Sequence, residues 1–226
     1  MVYLSPPANR QVIGLKFYLP HGRFKGIDKL FSRGIWRCVM SANAREEILA
    51  AAKLVAQAHG YSGLNFRDLA QEVGIKAASI YYHFPSKADL AAAVARRYWE
   101  DSAAYLESLL QISRGPLEAL RRYPETFRWA LENDNRICLC SFMSAQFDDL
   151  PDLVKTEVQA FTDVNIAWLK KTLIAAKVVG PREAERRARA IYSGIMGAQL
   201  MARSRADIAL YDSLIESYRK AGLLPA

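Results

Sequence analysis

The densest chemistry in the chain lies in IKAASIYYHFPSKADL, residues 75–90, where Tyr81, Tyr82 and His83 stand in a row ahead of Phe84, Pro85 and Lys87. Three uses compete for it. His83 could serve as a general base, the tyrosines could be core, or the strip could be a surface that reads a partner through hydroxyls and cations. A general base needs a nucleophile to deprotonate and a group that orients it, and no Ser, Cys or carboxylate stands at a supporting spacing from His83. The other histidines are His21 and His59, so a His-rich metal site is excluded. Cys38, Cys138 and Cys140 supply neither a disulfide framework nor four zinc ligands. No catalytic residue, metal or cofactor is therefore expected, and a reducing cytoplasm is the simplest compartment.

The elements around the strip decide how it is presented. AREEILAAAKLVAQAHG, from residue 44, places Ile48, Ala51, Ala52, Val55 and Ala58 on one helical face, with Gly60 as the stop. A second short helix follows in LNFRDLAQEVG. Asn65 caps it, Asp68 is placed to reach back as in a capping box, and Gly74 ends it. IKAASIYYHF is a third short helix, and Ser86 with Asp89 starts a long fourth one to about Ile112. Two short helices joined by a tight turn at Gly74 form a helix-turn-helix, whose second helix buries one side and offers the other at a width that fits the DNA major groove. On that reading Ile80 and Phe84 point inward. Ser79, Tyr82 and His83 form an outer arc, and Tyr81 lies between the two faces.

LNFRDLAQEVGIKAASIYYHFPSKADL resembles the DNA-binding domain of the tetracycline-repressor (TetR) family of bacterial transcriptional regulators. The likeness covers residues 44–90, and YYHFPSK is its most specific part. It implies an all-α chain, with an N-terminal three-helix DNA-binding domain at 41–90 and a larger helical ligand-binding and dimerisation domain at 91–226. It further implies that Asn65 and Arg67 lie at the DNA, Arg67 on backbone or a base, and that Lys76, Ala77, Ala78 and Ser79 face bases. Tyr81 and His83 would hold phosphates, with Tyr82 beside them, and Lys87 would hold another. Lys76 and Ala78 depart from the family's usual Ser/Thr and Gly/Pro. Ala77 and Ala78 offer only apolar contacts, for instance to thymine methyls, so no relative's half-site carries over.

The rest of the chain reads as helices divided at Gly115-Pro116, Pro124, Asn133-Asp134-Asn135, Asp148–Pro151 and Gly180-Pro181, with Asp207 capping the last. Large and polar side chains among them are candidates to line an effector cavity: Tyr105, Trp129, Phe142, Met143, Gln146, Asn165 and Tyr192. A buried amide needs a partner, which a ligand or the protein itself supplies. Cys138 and Cys140 read as a redox or electrophile sensor if their thiol pKa is lowered, and otherwise as small buried hydrophobes. Helical spacing on the last two helices sets Ile191, Ile195 and Ala198, then Ile208, Tyr211, Leu214 and Ile215, as a dimer seam. The function expected is a ligand-responsive repressor that binds double-stranded DNA as a homodimer on a palindrome and releases it when a small-molecule effector binds. The alternatives are a helical-bundle enzyme or a protein-binding adaptor.

The net charge of +8 is uneven. Residues 1–40 hold seven Lys and Arg against the single acid Asp28, while the remainder is nearly balanced. This segment reads as a basic arm for DNA phosphates, as a targeting peptide, or as disordered sequence outside the natural polypeptide, with translation starting at Met40. The last is favoured because a clean helix start follows Met40. No run approaches the roughly 18 apolar residues of a membrane span, so no membrane partner is expected.

Overall fold

The structure is a computed structural model that describes the backbone of residues 33–226 and side chains from residue 43 onward. Expectations about residues 1–32 and about the Cys38 side chain lie outside the described residues. Among the described residues every element is helical: α1 (Arg33–His59), α2 (Phe66–Val73), α3 (Ala77–His83), α4 (Lys87–Ile112), α5 (Pro116–Arg122), α6 (Glu125–Glu132), α7 (Leu139–Ala145), α8 (Asp152–Ala175), α9 (Pro181–Arg205) and α10 (Ile208–Lys220). A 3-10 turn spans Phe147–Asp149.

Helix α1 starts at Arg33, ahead of the expected start after Met40. Between Gly34 and Gly60 the chain has no glycine or proline, so nothing in it interrupts the helix. The later boundaries follow local chemistry. Pro116 occupies the first turn of α5, Pro124 separates α5 from α6, and Asp207 Oδ1 accepts the Leu210 N–H at 3.2 Å. Asp134 and Asn135 take the left-handed conformation, φ 55° and 53°, that their short polar side chains tolerate.

Residues 42–226 form one unit. Its first part is sealed by Ile48, Ala52, Leu69, Ile80, Phe84 and Leu90, all buried. Each large apolar side chain so buried stabilises by about 1.5–3 kcal/mol before entropy is charged. Helix α4 runs without a break from this cluster into the second part, so position 90 falls within its first turn and the two parts share a helix. Helix α8 is the axis of the second part and packs against α4, α5, α7 and α9, while α10 lies on α9 and α6.

Among the described residues most polar groups inside this bundle find a partner within it, the Ser113 hydroxyl and the Trp168 indole N–H being the buried exceptions. Tyr123 donates to Asn165 Oδ1 at 2.8 Å, and Asn165 Nδ2 donates to the Phe161 carbonyl at 2.8 Å. Gln199 accepts the Cys138 N–H at 3.2 Å and donates to the Phe127 carbonyl at 2.6 Å. The expected dimer seam fails here for five residues. Ile191, Ile195 and Ala198 are fully buried within one chain, and Tyr211 and Ile215 nearly so; the Tyr211 hydroxyl donates to the Pro124 carbonyl at 2.7 Å. Periodicity located the apolar face of α9 and α10 correctly, but α6, α8 and the two helices themselves cover it. Ile208 and Leu214 are half-buried. The outward face of α9 carries Ala190, Ser193, Gly197, Leu200 and Met201 instead.

Candidate functional site

The α2–α3 turn is built on Gly74, at φ +74°. Its N–H reaches the Gln71 carbonyl at 3.2 Å and the Ile75 N–H reaches Ala70 O at 2.9 Å, the paired bonds of a Schellman stop. At the other end of α2, Asn65 Oδ1 accepts the Arg67 N–H at 2.8 Å. Only half of the expected capping box forms, since Asp68 makes no return bond to Asn65 among the described residues. Asn65 is exposed, yet its side-chain oxygen is already engaged as the cap.

Helix α3 is anchored by Ile80, fully buried, and by Phe84 at its end. The opposite face is open. Tyr82 is 73% exposed and Tyr81 57% exposed. Tyr81 is braced edge-on against Phe66, ring centroids 4.7 Å apart, and Tyr82 meets His83 at 5.1 Å. Lys76, Ala78 and Arg67 are exposed, while Ser79 and His83 are half-buried. Ala77 departs from the expected base-facing position: it is partly buried and packs against the core. Asn65, Arg67, Asp68, Ala77, Tyr81 and Lys87 border a shallow groove of about 690 Å³. Such a surface presents aromatic hydroxyls and cations, with Asp68 as the carboxylate among its lining residues and no Ser, Cys or His there to act as a nucleophile. That arrangement suits contacts to phosphates and base edges.

Lys87 differs from the expectation of a free outward cation. Its ammonium donates to the Ser62 carbonyl at 3.0 Å and sits 4.6 Å from the centre of the Tyr61 ring. Partial desolvation there lowers its pKa. The lysine thus ties the start of α4 to the α1–α2 loop, with the remaining ammonium hydrogens left for another acceptor. Ser86 caps α4 as expected, accepting the Asp89 N–H at 3.2 Å and donating to Asp89 Oδ2 at 2.7 Å.

Residues 48–94 match the family described as bacterial regulatory proteins, tetR family. Overall, the chain is similar to a TetR transcriptional regulator from Legionella pneumophila. Their structures superpose with a TM-score of 0.73 at 29% identity, over 78% of this chain and 95% of that one. Residues 48–94 are thus a TetR-family DNA-binding domain, and the chain as a whole shares the fold of solved TetR regulators. Among curated relatives, the HTH-type transcriptional repressor AcnR of Corynebacterium glutamicum is 37% identical over 86 residues, 36% of this chain and 44% of that protein. The nucleoid occlusion factor SlmA of Vibrio vulnificus is 36% identical over 81 residues, 35% and 41%. The chain thus matches less than half the length of these curated relatives.

Among the described residues the seven expected to line one cavity are dispersed over separate places in the second part. Tyr105 and Trp129, edge to face at 4.9 Å, border a cleft of about 240 Å³ with Lys53, Phe127 and Phe161. Phe142 and Tyr192 border a different cleft of about 430 Å³ between α7, α8 and α9. Met143 is fully buried core. Asn165 spends both ends of its amide on Tyr123 and Phe161, so it needs no ligand.

Gln146 ends α7 and reaches the helix-turn-helix. Its Oε1 accepts the Tyr61 N–H at 2.7 Å and its Nε2 donates to Ser62 Oγ at 3.0 Å. No local pattern signals this contact, because the partners lie about 85 positions apart. Glu157 on α8, nearly buried, was likewise missed. It accepts from Arg96 Nε at 3.0 Å and from Trp99 Nε1 at 2.8 Å, both on α4. Burial alone would raise its pKa, but the Arg96 and Trp99 bonds outweigh that and hold it below the ordinary carboxylate value. Cys138 and Cys140 are buried, and burial pushes both thiols up. A sensor thiol needs the opposite shift.

Among the described residues, no helix is long and apolar enough to cross a membrane. No group of three or more His, Cys, Asp or Glu there could hold a metal ion.

Proposed function

We propose that this chain is a cytoplasmic transcriptional repressor that binds double-stranded DNA as a homodimer and releases it when a small molecule occupies the second part. The observation that carries the reading is the outer face of α3. Tyr81 and Tyr82, two large aromatics, stand more than half exposed beside Lys76 and Arg67, on a helix whose other face is locked by Ile80. A large exposed aromatic pair on a braced short helix costs apolar hydration unless a partner covers it. The hydroxyls and flanking cations make that partner a phosphate backbone and base edges.

Two copies related by a two-fold axis present two such helices to successive major grooves, which makes the operator a palindrome. The outward α9 face, where Gly197 leaves room for close approach one turn before the exposed Leu200 and Met201, is the surface on which we place the second copy. Coupling between the parts runs through α4, shared by both, and through the Gln146 grip on the α1–α2 loop. An effector that shifts α7 shifts that grip. It changes operator affinity by no more than its own preference for one of the two geometries.

The test is selection of bound fragments from genomic DNA followed by mobility shift on the selected sequences. The expected result is a two-fold-symmetric consensus, bound with an affinity that falls steeply as salt rises because phosphate counterions are released. Failure to enrich any sequence, with the protein folded, overturns the reading.

A further inference from the structure

The cleft of about 430 Å³ has walls of Ile137, Phe142, Ala145, Met196 and Leu200, and a single charged group, Arg203. No acidic residue lines it. The Arg203 guanidinium stands 5.3 Å from the centre of the Phe142 ring and donates to the Asn135 carbonyl at 3.3 Å. Asn135 Nδ2 in turn donates to the Arg203 carbonyl at 2.9 Å, which pins the residue at both ends. Among the described residues no carboxylate lies within 4 Å of this guanidinium, whereas Arg96, Arg97, Arg122, Arg128 and Arg189 each have one. A guanidinium carries five N–H donors in a planar fork, and one protein carbonyl satisfies only one of them. At the same rim the hydroxyls of Thr162 and Tyr192 lie 3.3 Å apart.

The geometry points to an apolar monocarboxylate as the effector of this cleft. Its hydrocarbon lies against Phe142, Met196 and Leu200, and its carboxylate takes the free side of the Arg203 fork. The inference rests on the reading that the second part takes a small-molecule effector, and it names the class. Several features favour one negative charge. A diphosphate or nucleotide would bring two or more charges to a wall with one cation, and the excess would lie desolvated among apolar side chains. A cation would face Arg203 with no acid to receive it. A neutral hydrocarbon would fill the walls and leave the guanidinium fork unused, which is the difference that a bidentate charge-assisted pair exploits. The volume falls in the range of small-molecule sites, roughly 300–1,000 Å³.

The experiment titrates the full chain by calorimetry with decanoate, 1-decanol and decyltrimethylammonium, and repeats it on Arg203→Gln. The wild type is expected to bind decanoate at least tenfold more tightly than decanol and the ammonium not at all. In Arg203→Gln that preference is expected to vanish while decanol binding stays, so lost charge is told apart from lost fold. Equal affinity of the wild type for decanoate and decanol overturns the assignment, whatever the variant does. So does uptake of none of the three by a wild-type dimer when monomers of Met201→Lys, a change on the outward α9 face outside the cleft, bind them, since a second copy then covers the cleft. Operator affinity measured alongside separates this inference from the broader reading. Arg203-dependent decanoate binding that leaves operator affinity unchanged upholds the ligand class and removes ligand-responsive release. Release by some other effector, with no decanoate preference, overturns the class alone.

Discussion

The proposed DNA-facing end and the proposed effector end of this molecule are built from similar helices but encode their sites differently. At the first end the residues that face outward are neighbours in sequence, held by one buried isoleucine, one left-handed glycine and one asparagine cap. At the second, Phe142, Tyr192 and Arg203 come from α7 and α9, which both pack on α8 and touch each other through Ser141 and Met196. A site on a single short helix inherits its geometry from local rules. A site between long helices inherits it from packing, which local patterns specify only as a face and not as a neighbour.

Ile195 gives the sharpest way to break that contrast. Its period on α9 fits a dimer seam, yet it is fully buried within one chain. Ile195→Ala is expected to lower the unfolding free energy by about 2–5 kcal/mol through lost burial and a residual cavity, as Ile80→Ala should at the other end. Denaturant titration at two protein concentrations checks it. A cost that appears only as weaker self-association would return Ile195 to the subunit interface.

Gly74 tests the local side of the comparison. A Cβ there would meet no atom within 4 Å, so the demand for glycine is conformational alone. Gly74→Ala should cost about 1–2 kcal/mol of stability, the penalty of a left-handed L-residue, measured by urea unfolding. A neutral result would mean that the turn relaxes to another conformation, and α3 would then owe its placement to Ile80 and Phe84.

Tyr82→Ala comes next. At 73% exposure the side chain adds little to the fold, so stability should stay within about 0.5 kcal/mol. Operator affinity should fall about tenfold, on the order of 1.4 kcal/mol, by fluorescence anisotropy on a labelled duplex. Unchanged affinity would remove Tyr82 from the interface and leave the outer face of α3 to Lys76, Ala78 and Tyr81.

The same contrast explains what could be read in advance. The helix-turn-helix, its Gly74 stop, the Ser86 cap and the proline-marked boundaries of α5 and α9 rest on signals carried by one to four adjacent residues. The α1 start was misplaced because the chain between Gly34 and Met40 holds no stop signal. Asn165 resembled a ligand group because an amide among apolar residues does need a partner, but its partner, Tyr123, lies 42 positions away. Lys87 read as a phosphate contact because its position matches the family pattern; the Ser62 carbonyl that it bonds is brought near only by the fold. Arg203 drew no attention, since an arginine in a last helical turn ordinarily complements the helix dipole.

The smallest effect should come from the joint between the two ends. Glu157 on α8 holds Arg96 and Trp99 on α4, the helix both parts share. Its carboxyl is held below the ordinary value in the folded chain, so folding favours the charged form. That contribution is fully present above the unfolded carboxyl pKa, and it is lost as pH falls through the lowered folded one. Arg96 is largely exposed, so the gain is screened, and Glu157→Gln should cost about 1 kcal/mol or less at neutral pH. The difference between wild type and variant should shrink toward zero in acid, followed by denaturant unfolding across pH 3–7. A difference that persists unchanged below the carboxyl range would assign the effect to packing of the side chain. The strut would then be steric, and α4 would be positioned by its apolar contact with α8 alone.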